Sequence, residues 1–179
     1  SVCALRGLSK YRFAKLGAGV FSADEIARRA LDPGTDCYSR VLAAFGREIL
    51  KPNGTIDRKK LAQIVFASEE KRGLLNNIIH PFVIQALYSL ADAALADRQN
   101  AIAIFDVPLL FESGMDADMD VNVVVFSDEE TRIRRIIERD GISREQALSR
   151  MRAQMPEEEK CLRADYLLDN NDSEYALLK

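Results

Sequence analysis

Asp24 and Asp106 are the acidic residues best placed for chemistry, because each stands at or just beyond the end of a short apolar run. Residues 18–21 (AGVF) lead into Ser22-Ala23-Asp24, and residues 101–106 (AIAIFD) end on Asp106. A third run, 166–168, is followed by Asp169-Asn170. In an open parallel sheet the ligand crevice lies beyond the carboxyl ends of the strands. Carboxylates there can hold a magnesium ion or accept a proton. A plainer role competes. Ser22-x-x-Glu25 has the spacing of a capping box, which would set Asp24 in the first helical turn beside the positive dipole end. Spacing alone favours capping.

A second group is basic. Arg132, Arg135 and Arg139 fall at i, i+3 and i+7, on one face of a helix opposite Ile133, Ile136 and Ile137. Arg144, Arg150, Arg152 and Arg163 follow. The planar guanidinium fork donates paired hydrogen bonds to phosphate. A solvated face braced by pairs such as Glu130–Arg134 is the commoner use of such a run. His80 precedes Pro81, which pushes it towards an extended conformation, so it reads as a helix-start or packing residue.

Composition narrows the choices. The chain has 179 residues, 47% apolar and 30% charged, with a formal charge of -3. That suits one globular domain and gives no basic balance for duplex binding. With one histidine, a His-based metal site or a Ser-His-Asp triad has little room. Cys3, Cys37 and Cys161 are far apart and lack C-x-x-C spacing, which suits reduced thiols. No run of about 20 apolar residues and no leader stands out, so a cytoplasmic chain without a membrane span is expected.

Elements that could position these residues follow from the pattern. Apolar runs at 2–5, 18–21, 101–106, 121–126 and 166–168 read as strands, two of them near-continuous as in sheets covered on both faces. Helical patterns lie between, which predicts an α/β fold with a parallel sheet. Ser127 and Ser143 begin capping boxes, Asp57 and Ser68 suit N-caps, Gly141 suits a C-cap and Pro81 suits a first helical turn. The span between the second and third strands is far longer than a crossover requires, so residues 25–98 are expected to form an inserted helical subdomain.

Several segments together resemble the dephospho-coenzyme A kinase family. FDVPLLFESG carries Asp106, Pro108, Leu109, Leu110 and Glu112. GVFSADEIARRALDPGT resembles the family's strand, Asp-Ala-Asp element and helix. NNIIHPF and RDGISREQALSRMRAQMPEEEKCLRADYLLDNNDS resemble its His-Pro segment, lid and final strand. The similarity runs from about Leu16 to the C-terminus.

The resemblance implies a three-layer P-loop-type parallel sheet of about five strands, with an inserted helical subdomain and a helical lid. Residues 1–24, 99–127 and 164–179 would form the nucleotide-binding core, 25–98 the CoA-binding subdomain and 128–163 the lid. The activity implied is transfer of the ATP γ-phosphate to the ribose 3′-hydroxyl of dephospho-CoA, with Mg2+. Asp24 would accept the hydroxyl proton and help order the metal. Arg135 would reach the transferring phosphate, with Arg139 nearby, and Asn170 would line the adenine pocket. Lys51, Arg58, Lys59 and Lys60 could meet phosphate in the helical subdomain, although an exposed helix face is the plainer reading. The implied partner is a small molecule, not nucleic acid or membrane, for a monomer or small homo-oligomer. Alternatives are a loop-less relative that binds CoA-like ligands without catalysis, and a kinase of the same fold with another alcohol acceptor.

Two departures from the family pattern stand out. Ser22 replaces the first aspartate of Asp-Ala-Asp. The Gly-x-x-x-x-Gly-Lys-Ser/Thr loop, whose backbone N–H groups wrap phosphates, has no room in SVCALRGLSKYRFAKL. Gly7, Leu8 and Ser9 stand where it belongs, Ser9 matching the hydroxyl that binds magnesium. The favoured reading is that residues are skipped between Leu8 and Ser9; loss of the loop, or a loop before Ser1, are the others.

Overall fold

The computed structural model describes residues 13–96 and 102–171. The expected strand at 2–5, together with Gly7, Leu8, Ser9 and the junction between the last two, lies outside them. Contacts gather the chain into two compact units, one over residues 17–106 and the other taking in 107–171.

In the first unit, β1 (Gly19–Ser22) pairs in parallel with β2 (Ala103–Asp106), Gly19 opposite Ala103 and Ser22 opposite Asp106. Between them run α1 (Ala23–Ala30), α2 (Asp36–Phe45), α3 (Arg58–Ala67) and α4 (Glu69–Leu95). This run of helices lies between the two strands in sequence. Its core gathers Ala30, Cys37, Val41 and Phe45 with Ile49, Ile56, Leu61 and Ile78. Burying each large apolar side chain contributes about 1.5–3 kcal/mol. The expected caps at Asp57 and Ser68 form: Asp57 accepts from the Lys59 and Lys60 N–H groups, and Ser68 from that of Lys71.

Helix α4 departs from the sequence reading. Pro81 does not start a helix; it sits inside one of 27 residues, with His80 half-buried in the same helix. An interior proline removes one backbone bond and costs about 3 kcal/mol. Burial on both sides offsets that cost. Ile78 joins the helical core, whereas Val83, Leu87 and Ala91 recur every fourth residue beyond Pro81. The five-residue step from Ile78 to Val83 turns the buried face by about 140°. The first half of α4 therefore serves the helical core, and the second half packs on the strands, where Tyr88 meets Phe105 edge-on at 5.8 Å. A Cβ added to Gly19 would lie 3.4 Å from Ala94 and 3.1 Å from the Phe21 ring, so the glycine lets α4 lie close to β1.

By length and composition, α4 is the one helix among the described residues apolar enough to cross a bilayer, with a mean hydropathy of 1.4 over its best window. Only 22% of that window is buried, on faces packed against β1, β2 and the other three helices of the unit.

In the second unit, β3 (Val123–Phe126) pairs in parallel with β4 (Tyr166–Asp169). Helices α5 (Glu129–Asp140), α6 (Arg144–Arg152) and α7 (Glu157–Arg163) lie between them in sequence. The four described strands match the predicted runs to within two residues, and the α/β class with parallel strands holds. The buried core of α5 and α6 is small: Ile133, Ile136 and Ala147. Ser143 and Gln146 close the expected capping box, and Gly141 ends α5 in the left-handed region at φ 64°. The expected box at Ser127 is displaced by one residue. Asp128 caps α5, accepting from Thr131 N–H at 2.8 Å, while Ser127 is buried. A carboxylate is a stronger acceptor for a helix N-terminus than a hydroxyl.

Candidate functional site

The first unit brings two polar residues together at the ends of paired strands. Parallel pairing sets Ser22 beside Asp106, although 84 positions separate them in sequence. Ser22 has the extended backbone of an N-cap residue, but its side chain makes no capping bond. Its Oγ instead donates to Asp106 Oδ2 at 3.4 Å. The capping box predicted at Ser22-x-x-Glu25 is therefore absent. A longer-range acceptor wins the serine hydroxyl, and α1 relies on Asp24 and Glu25 in its first turn to meet its dipole.

Ser22 is buried, and Asp24 and Asp106 are half-buried. Hydroxyl and carboxylate oxygens are the hard donors that suit magnesium. Among the described residues no group of three His, Cys, Asp or Glu could hold a metal alone.

The second unit collects the arginines on α5, and they are not equivalent. Arg135 is half-buried and donates from NH1 to the Asn170 carbonyl at 2.7 Å. Asn170 is itself buried just past β4, with its N–H bonded to Phe126 O at 2.8 Å. Two of the predicted residues, Arg135 and Asn170, thus meet directly. Arg139 is exposed and forms a two-pronged pair with Asp140, both bonds at 2.7 Å. Arg132 pairs with Glu157 at 2.8 Å, while its buried Nε lacks a partner. The expected Glu130–Arg134 brace is replaced by Glu130–Arg144, in which both carboxylate oxygens are used. Asp140 also receives Arg150 at 2.6 Å.

Sequence reasoning missed the partner of Glu112. Lys160 is buried, and its Nζ lies 2.7 Å from Glu112 Oε1, which also accepts Met155 N–H at 3.0 Å. Burial pushes the Glu112 carboxyl up. Hydrogen bonds from Lys160 and from the N–H groups of Glu112 and Met155 outweigh it and hold the group below its ordinary range. Nothing local marks Lys160, which stands at the end of the acidic run Glu157-Glu158-Glu159. A neighbouring pair joins Arg163 to Asp116, with the guanidinium 5.0 Å from the Phe111 ring centre. The PLLFE segment is thus bound to α7 at two points.

Comparison with known proteins shows the family and the fold. Residues 6–175 match the family model described as dephospho-CoA kinase. A dephospho-CoA kinase of Geobacillus kaustophilus is 44% identical over 157 residues, covering 88% of this chain and 78% of the relative. One of Arabidopsis thaliana is 44% identical over 161 residues, covering 90% and 69% respectively. Among solved structures, TT1252 from Thermus thermophilus aligns with a TM-score of 0.77 and 32% identity, over 95% of this chain and 84% of that one. A dephospho-CoA kinase from Campylobacter jejuni aligns with a TM-score of 0.65 and 30% identity, over 93% and 83%.

Proposed function

The chain belongs to the dephospho-CoA kinase family, and we infer from that membership that it transfers the γ-phosphate of ATP to the ribose 3′-hydroxyl of dephospho-CoA. This is the last step of coenzyme A biosynthesis. The observation that carries the site assignment is the Ser22–Asp106 hydrogen bond. It frees the Ser22-Ala23-Asp24 turn from a purely capping role and gathers oxygen donors at two strand ends.

In this reading Asp24 accepts the proton of the 3′-hydroxyl as that oxygen bonds to the γ-phosphorus. The bond from that phosphorus to the bridging oxygen breaks, and ADP leaves. Arg135 neutralises charge on the transferring oxygens, its side chain braced by the Asn170 carbonyl. Such transfer depends mainly on positioning and charge neutralisation. Asp24, Ser22 and Ser9 are the residues that would hold magnesium. When bound, the ion offsets phosphate charge and aligns the β- and γ-groups. Gly7, Leu8 and Ser9 are assigned to the nucleotide phosphates, Asn170 to the adenine side and Arg139 to a lesser nucleotide contact. The Arg139–Asp140 pair must open for that contact to form.

The finer architecture is part of the proposal: about five parallel strands, a CoA-binding helical subdomain over 25–98 and a lid over 128–163. The helical core of the first unit and the ion-paired helices α5–α7 support it. A soluble, cytoplasmic monomer or small homo-oligomer accords with the composition.

A coupled ADP-release assay with ATP, magnesium and dephospho-CoA tests the reading on the full-length natural protein. Asp24→Asn should lower turnover by about 10²–10⁴-fold with circular dichroism unchanged. A folded, fully active Asp24→Asn protein would return Asp24 to helix capping. Dephospho-CoA binding without turnover in the wild type would favour a non-catalytic relative.

A further inference from the structure

We propose that a basic cleft at the C-terminal end of α1 receives the diphosphate of the acceptor, an assignment that rests on the kinase reading above. The cleft has a volume of about 460 Å³, within the range of small-molecule sites. Leu31 and Ile56 supply apolar lining, and Lys51, Arg58 and Lys59 supply cations.

Its two carboxylates are already engaged. Asp57 caps α3 through the N–H groups of Lys59 and Lys60. Asp32 lies 3.5 Å from Arg58, which also donates to the Arg28 carbonyl at 2.7 Å. Among the described residues, Lys51 and Lys59 make no ion pair. Arg58 therefore builds the wall, and the two lysines are left to meet an anion.

Their backbones are held in place. Lys51 N–H bonds to Thr55 O at 2.9 Å, Gly54 N–H bonds to Lys51 O at 2.9 Å, and Tyr38 OH donates to Gly54 O at 2.5 Å. This turn is closed by the antiparallel bridge Leu50–Ile56. Lys59 is fixed in the first turn of α3 by the Asp57 cap. Anchoring at both rims lowers the entropy lost on binding.

Distance supports the match. The eight residues of α1 separate its ends by about 12 Å, with Asp24 at one end and the cleft at the other. In a nucleoside with a 5′-diphosphate, the outer phosphorus lies about seven bonds of ~1.5 Å from the 3′-oxygen, a reach of up to about 10 Å. The flexible lysine stems supply the remainder. A diphosphate group could thus sit between Lys51 and Lys59 while the same ribose offers its 3′-hydroxyl to Asp24.

Steady-state kinetics of the full-length natural enzyme and of Lys51→Met/Lys59→Met test this. KM for dephospho-CoA should rise about tenfold, with kcat and KM for ATP changed by less than about twofold. Adenosine carries the same ribose without a diphosphate, so its inhibition constant should not move. Lys51→Arg/Lys59→Arg should restore KM, and Lys71→Met, which lies outside the cleft, should leave it unaltered. An unchanged KM in the double Met variant overturns the subsite, as does an equal loss of adenosine binding, which reports general distortion. A wild type that releases no ADP with dephospho-CoA overturns the kinase reading and this inference with it.

Discussion

The two units hold themselves together by different means. Residues 17–106 share one apolar cluster that takes side chains from four helices and the turns between them. Residues 107–171 have a much smaller apolar centre and a chain of ion pairs: Glu112–Lys160, Asp116–Arg163, Arg132–Glu157 and Asp140 with Arg139 and Arg150. Apolar burial is non-directional and barely affected by salt, whereas ion pairs weaken as acid protonates their carboxylates and, where solvent reaches them, as salt rises. The first unit should therefore be the more even platform, and the second the one whose order follows solution conditions.

The sharpest test of that contrast removes function without order. Arg135→Met should lower turnover by about 10²–10³-fold, read by ADP release, while thermal unfolding shifts little. A large fall in melting temperature would instead make Arg135 another structural tie, like its neighbours on α5. Lys160→Met should do the reverse. Leaving the Glu112 carboxylate without its cation should cost about 2–3 kcal/mol. Hydrogen exchange should quicken around α7 and the PLLFE segment and stay unchanged in α2 and α3. Equal acceleration in both units would break the contrast.

Acid should act next. The Glu112, Asp128, Glu130 and Asp140 carboxyls are all held below their ordinary values. Thr131 N–H does this for Asp128, Arg144 for Glu130 and Arg139 for Asp140. A carboxylate depressed on folding adds stability that is complete above its unfolded value and is lost as pH falls through the folded value. All four belong to the second unit. Acidification below about pH 4 should therefore raise exchange in 107–171 before 17–106. The smallest effect is expected from Gly141→Ala. An added Cβ meets nothing within 4 Å, so only the left-handed backbone resists, by about 1 kcal/mol. Exchange at the end of α5 reports it.

What the sequence revealed depended on range. Short apolar runs, two of them near-continuous, located the four described strands, and caps at Asp57, Ser68 and Ser143 followed from spacing within a single turn. The same local logic misplaced the Ser22 hydroxyl. Its partner, Asp106, is adjacent only because β1 and β2 pair. Lys160 and Glu112 pose the same difficulty across 48 positions, as neither residue marks the other. Asp128 over Ser127 is a contest between adjacent acceptors, settled by charge. Pro81 fails differently: its local cost is real, and tertiary burial on both sides exceeds it. The segment Arg135–Asn170 lay between these cases. Both residues were recognisable by resemblance, but the hydrogen bond joining them was not.

The proline also has a mechanical consequence. Helix α4 is a rod about 40 Å long, and Pro81 lies near its middle. About 20 Å of helix extends to either side, one arm held in the helical core and the other against the strands. A change of 10° in the bend would move the end of an arm by roughly 3–4 Å, several times the displacement at Pro81 itself. The missing backbone bond makes this the most compliant point of the rod. Slight rearrangement of the helical core can therefore be delivered as travel where the end of α4 meets the start of β1 at Gly19.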